Sequence, residues 1–295
     1  MKTASNLKQN LVSLFINQQN QVRNAWWIVI FIALVALTRP LYGIIKSELS
    51  AVGLSEQTLE FLPVLLLLLV TWVCLALRKQ TLTDVGLSMD KSWYRQLLAG
   101  TTIGFVQVGL VAFVIFAAGG VTFSWNPEIN LSVLAIALYV MFCAVFFEEL
   151  LFRGFIFQRL SDGTSFVIAQ LVFALAFAYG HWANPGMEGM AKWIATVELA
   201  LAALVLGLAY YRTNSLALPI GIHFGWNYCM GHVLGFEVSG HQQVGVLVPN
   251  LTSDNVLLTG GNFGLEASLV ALIVDAVLFI LLWRWQGATK DKTEY

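Results

Sequence analysis

Three short stretches of an otherwise apolar chain carry residues able to do acid–base chemistry. The first is Glu148-Glu149-x-x-x-Arg153, the second ends Phe177-Ala178-Tyr179-Gly180-His181, and the third is His223-x-x-x-Asn227. Glu149 and Arg153 are four apart with the acid first, the favourable order for an ion pair on one helical face. On the same helix Glu148 points about 100° away from Glu149, which leaves it without a partner in its own element. A free carboxylate and an imidazole can share the work of a general base on a water attacking a carbonyl. His223 and Asn227, also four apart, project two hydrogen-bond donors from one face, an arrangement suited to a developing oxyanion.

The same side chains permit a second chemistry. Glu148, His181 and His223 together are a donor set of the kind that holds catalytic zinc. The sequence has no His-Glu-x-x-His, the adjacent carboxylates diverge by the helical step, and Asn227 is a poor zinc ligand but a good neutral donor. The residues favour hydrolysis without a metal or other cofactor, with zinc on Glu148, His181 and His223 as the alternative.

The elements that position these groups must be membrane helices. Of the 295 residues 58% are hydrophobic and 11% charged, against about 25% charged in a soluble domain. The chain reads as all-α, a polytopic membrane bundle. A helix crosses the hydrocarbon core in about 20 residues, and such runs fall at about 25–45, 61–77, 97–118, 131–152, 166–182, 193–210, 216–234 and 265–283. The bundle is thus 25–285, with tails at 1–24 and 286–295. Eight spans put both tails on one side. Basic residues accumulate in cytoplasmic loops. Assigning Lys2, Lys8, Arg23, Arg78, Lys79, Lys91, Arg95, Arg153, Arg159, Arg212, Arg284, Lys290 and Lys292 to one side leaves only Lys46 and Lys192 in the opposite loops, with Arg39 inside a span. The expectation is a multi-pass protein of the cell membrane with both termini cytoplasmic.

A net charge of −1 excludes an electrostatic nucleic-acid binder. Cys74, Cys143 and Cys229 lie in apolar runs and read as packing residues. The segment 235–264, without Lys or Arg, reads as an exposed loop with little structure and no chemistry. Glu198 and Asp275 read as structural, tied to Arg39 or another buried donor. A secondary transporter using Glu198, Asp275 and Glu148 as a proton relay is a rival reading, but it calls for repeats that are not present; a catalytically silent scaffold is another.

Charge inside a bilayer costs at least about 2.5–3.5 kcal/mol per residue, which makes each such group a functional candidate. Straight helices from a turn at Asp162-Gly163 put Glu148 and His181 at roughly 21 and 27 Å from it, and His223 roughly 15 Å from the next turn. Side chains lean toward the helix N-terminus, which narrows the first gap. One cavity can therefore hold all three.

Glu148-Glu149-x-x-x-Arg153, Phe177-x-x-x-His181 and His223-x-x-x-Asn227, in that order on three apolar helices between about 131 and 230, resemble the motifs of the CPBP family, the CAAX-protease and bacteriocin-processing (ABI) intramembrane endopeptidases. The Arg23-Asn-Ala-Trp-Trp stretch is similar to bacterial members. The resemblance implies that Glu148 activates water with His181, that His223 and Asn227 stabilise the oxyanion, and that Glu149 and Arg153 support them. It implies a peptide or membrane-protein substrate, and the family has often been called metalloproteases.

Overall fold

The computed structural model describes residues 13–17 and 21–287; Lys2, Lys8, Lys290 and Lys292, which entered the charge count, lie outside them. The chain folds into α1 (Asn24–Ala51), α2 (Phe61–Leu77), α3 (Lys91–Ala117), β1 (Val121–Trp125), α4 (Leu131–Arg153), α5 (Phe155–Gly163) and α6 (Phe166–Gly180). It continues with α7 (Gly189–Thr213), α8 (Ala217–Tyr228), β2 (Leu247–Leu251), α9 (Val256–Thr259) and α10 (Leu269–Arg284).

Each of the eight apolar runs forms a helix, but five segments are long and apolar enough to cross a membrane: 24–51, 57–77, 91–117, 131–163 and 189–213. Helices α6, α8 and α10 have 15, 12 and 16 residues, below the length of a spanning helix. The expected count of eight spans is therefore not reproduced. Helix α8 shows why length misleads. Every residue from Ala217 to Trp226 is buried, so protein rather than lipid surrounds it, and its polar backbone ends need not reach the interfaces.

Helix α8 is held against α3 by two facing glycine pairs. A Cβ on Gly100 would lie 2.4 Å from the Leu218 carbonyl oxygen and one on Gly104 2.2 Å from that of Ile222. From the other side, a Cβ on Gly221 would lie 2.3 Å from Leu97 O and one on Gly225 2.2 Å from Thr101 O. Backbones approach this closely only where small residues repeat every four positions. Two residues along a helix is a turn of about 200°, so His223 and Asn227, each two beyond a glycine of this pair, face away from α3. The glycine stripe aims them.

Several expectations fail against this architecture. The α4 helix does not run straight to Gly163: it ends at Arg153, and Gly154 (φ −81°, ψ −131°) breaks it before α5. The depth estimate from Asp162-Gly163 therefore starts from the wrong point. Arg153, counted as a loop charge, is 1% exposed. The bundle is also not purely helical. Strands β1 and β2 pair antiparallel from Val121 with Leu251 to Trp125 with Leu247, which ties the loop after α3 to the segment after α8. The segment 235–264 is consequently not an open loop: Phe236, Val238 and Phe263 are buried. Its β-branched and aromatic partner Val-Thr-Phe-Ser-Trp is a strand signal lying in what reads as a short connection between spans.

Candidate active site

Four of the six site residues meet directly. Arg153 Nη1 donates to Glu149 Oε1 at 2.9 Å, and both side chains are buried, with exposures of 1% and 0%. Arg153 Nη2 donates to the Ala203 carbonyl at 3.1 Å, which anchors the pair to α7. The same Glu149 oxygen accepts from His223 Nδ1 at 2.8 Å, a contact across 74 residues that helical spacing does not reveal. Glu149 thus orients an imidazole as well as an arginine.

Fixing a proton on Nδ1 turns Nε2 of His223 toward Glu148, whose Oε2 lies 3.7 Å away. Glu148 is the accessible member of the acidic pair, its side chain 34% exposed. The helical step separates the two carboxylates as expected, one locked in protein and one facing open space. With His223 carrying both ring protons, the two glutamates, Arg153 and the imidazolium balance in charge, which lowers the cost of holding them in a low-dielectric interior.

His181 caps α6. Its Nδ1 lies 2.7 Å from the Phe177 carbonyl, one of the carbonyls that the end of a helix leaves without an amide partner. A carbonyl only accepts, so Nδ1 carries the hydrogen and Nε2 of the neutral ring keeps its lone pair. Phe177 is the hub between the histidines: its ring is 4.7 Å from His181 and 6.0 Å from His223 between centroids, and the Arg153 guanidinium lies 5.3 Å from it.

Glu148, His181, His223 and Asn227 all line one cavity of about 1050 Å³. Asn227 sits one turn beyond His223 on the same face of α8, and its amide makes no side-chain hydrogen bond among the described residues. A partly exposed carboxylate, an imidazole with an open Nε2, a second imidazole and an amide therefore surround a space large enough for a peptide.

The cavity wall includes groups that sequence reasoning missed. Ser239, read as part of a featureless loop, adopts φ +49° in a tight turn with Gly240 at φ +82°. Glu266, itself buried, holds that turn, accepting from Ser239 N at 2.7 Å and from its hydroxyl at 3.1 Å, and Asn184 Nδ2 donates to Ser239 O at 2.9 Å. Asn184 N in turn donates to His181 O at 3.0 Å, so the turn is linked to the end of α6. Nothing in local spacing connects Glu266 to His181. Asp275 accepts from Gln107 Nε2 at 2.9 Å; Arg39, one expected partner, is exposed on α1.

The donor set does not gather around a metal position. Among the described residues no three His, Cys, Asp or Glu side chains converge as ligands. As placed, Glu148, His181 and His223 are not gathered into a three-ligand set.

The fold and site define a class: a polytopic helical protein whose buried ion pair supports a carboxylate and two imidazoles around an internal cavity. Residues 130–229 match the family described as Rce1-like, type II CAAX prenyl endopeptidase Rce1-like, and over this segment the resemblance to the CPBP and CAAX proteases is established. No curated protein and no solved structure gives a match to the chain.

Proposed function

We propose that the protein is an intramembrane endopeptidase that hydrolyses a peptide bond in a membrane-associated or lipid-modified peptide or protein. The observation that supports this reading best is the division of labour in the acidic pair, with Glu149 committed to Arg153 and His223 while Glu148 opens into the cavity. The family description adds the reaction class and, with it, a prenylated peptide as one candidate substrate.

In the proposed reaction Glu148 and His181 Nε2 take the proton of a water as its oxygen attacks the scissile carbonyl carbon. The oxygen of that carbonyl becomes an oxyanion facing His223 Nε2–H and the Asn227 amide. His223 donates there in its doubly protonated form, held in place by the bond from Nδ1 to Glu149. Collapse of the tetrahedral species breaks the C–N bond, and the proton held by Glu148 passes to the departing amine. One amide and one water become a carboxylic acid and an amine, which exchange a proton to leave as carboxylate and ammonium. The reaction is read as independent of metal.

The same reading includes a multi-pass placement in the cell membrane with both termini cytoplasmic, and an eight-helix bundle in which α6, α8 and α10 complete the crossing with their flanking turns. Its test is a comparison of membrane peptidomes from cells carrying the wild-type protein and Glu148→Ala. Uncut membrane peptides should accumulate in the variant, with matching fragments lost; indistinguishable peptidomes would overturn it.

A further inference from the structure

A third histidine faces the cavity and has no part in the proposed hydrolysis. His232 lies on the turn Cys229–Val233, which extends α8 and closes with a bond from Leu234 N to the Cys229 carbonyl at 2.9 Å. That i→i+5 bond makes it a π turn, one residue wider than an α turn. Five residues along an α-helix would leave His232 about 140° away from Asn227. The wider turn brings it back to the face that carries His223 and Asn227, and all three line the cavity.

One side of the imidazole is already engaged. Nδ1 lies 3.0 Å from the Val244 carbonyl; a carbonyl only accepts, so Nδ1 carries the hydrogen and Nε2 of the neutral ring is an acceptor. The main-chain carbonyl of His232 accepts from Val246 N at 3.0 Å, and the Tyr228 ring packs against the imidazole at 5.4 Å between centroids. The ring is therefore fixed in place. His232 is 8% exposed, yet Nε2 has no hydrogen-bond partner among the described residues and is not one of the side-chain atoms sealed inside the protein. A role as a staple for residues 244–246 accounts for Nδ1 but leaves Nε2 open to whatever the cavity holds, and an unmet acceptor in such a place is costly.

An extended peptide presents the N–H and C=O of one residue on the same edge and repeats them on that edge two residues further on, about 7 Å away at roughly 3.3 Å per residue. Asn227 and His232 are five residues apart, also roughly 7 Å along the axis at a helical rise of about 1.5 Å. We propose that Nε2 of His232 accepts a main-chain N–H of the substrate, two residues from the one whose carbonyl oxygen faces His223 and Asn227. The proposal rests on the endopeptidase reading and deepens it: the substrate is held as an extended strand, and His232 sets which bond meets the attacking water. A helical segment, whose N–H groups are already bonded, must unwind to be cut, and proline, which has no N–H, is excluded from the position that His232 reads.

Binding can be tested without turnover, on Glu148→Gln protein purified in detergent. The probe is N-decanoyl-pentaalanine amide, whose acyl group anchors one end, with Kd taken from the saturable rise in Tm. Each alanine is replaced in turn by L-lactic acid, which exchanges one N–H for an ester oxygen. One position should weaken binding about fivefold, the scale of one neutral hydrogen bond. Adding His232→Asn keeps an amide N–H near the place of Nδ1 for Val244 and leaves nothing at Nε2, so the difference between the parent probe and that analogue should vanish. Adding His232→Gln instead puts a carbonyl oxygen near the place of Nε2 and should restore the difference, which a merely structural histidine would not do. If His232→Asn does not fold, the ring 15N resonances of histidine-labelled protein decide: Nε2 of His232 should shift with the parent probe and not with the sensitive analogue. No saturable binding, no single sensitive position, a loss that persists in His232→Asn, or an unmoved Nε2 resonance would overturn the subsite. A coupled position in the binding series beside indistinguishable peptidomes for wild-type and Glu148→Ala cells would support the subsite and sink the endopeptidase reading alone.

Discussion

One oxygen, Glu149 Oε1, receives both the Arg153 guanidinium and the His223 imidazole, and this sharing separates the expected effects of mutating two neighbouring glutamates. Glu148→Gln keeps the volume of a partly exposed side chain and removes only its capacity to accept a proton. Cleavage by the purified protein should fall about a hundredfold or more, with thermal unfolding unchanged. Glu149→Gln removes the charge opposite a buried arginine, which costs roughly 3–5 kcal/mol when such pairs are broken. Its unfolding temperature in detergent should drop well below that of Glu148→Gln; equal stability of the two variants would remove the structural role assigned to Glu149. Metal independence is tested at the same scale. Activity should survive a strong chelator, whereas stoichiometric zinc, with activity lost on chelation and regained on adding zinc, would recast Glu148, His181 and His223 as ligands.

At the scale of the elements, α8 depends on the glycine crossing with α3. A methyl group on Gly104 would sit 2.2 Å from the Ile222 carbonyl oxygen, so Gly104→Ala must push the helices apart, at roughly 1–3 kcal/mol for forced overpacking. Because α8 carries both His223 and Asn227, cleavage should decline with stability. A methyl group on Gly109, on the same helix α3, would meet nothing within 4 Å, and Gly109→Ala should leave activity intact while gaining up to about 1 kcal/mol from helix propensity. Thermal unfolding and cleavage measured on both variants check this contrast. Similar losses in the two would mean that the close crossing is not what holds α8.

For the whole molecule, the charge distribution predicts sidedness. Arg153 leaves the count because it is buried in the site, but Arg78, Lys79, Lys91, Arg95, Arg159 and Arg212 still fall on the side expected to be cytoplasmic. Cysteines introduced at Ser88 and Ser161 should react with an impermeant reagent only after that side is opened, and one at Ser253 should react in intact cells. Labelling of Ser161→Cys from outside would reverse the orientation and place the cavity on the other face.

The local part of the site is legible in the chain because helices impose a short period. Spacing of four pairs Glu149 with Arg153 and aligns His223 with Asn227, and the 100° step already separates Glu148 from Glu149. The glycine repeats at Gly100 and Gly104 and at Gly221 and Gly225 are equally local signals, but only their meeting shows that they aim His223 into the cavity. The Glu149–His223 bond, the hold of Glu266 on Ser239 and the pairing of Gln107 with Asp275 join helices and loops far apart in the chain. No periodicity encodes such contacts. They depend on where Gly154 breaks α4, how closely α3 and α8 approach, and how β1 and β2 draw the segment after α8 onto the bundle, all of which are consequences of packing among elements rather than of any one element's sequence.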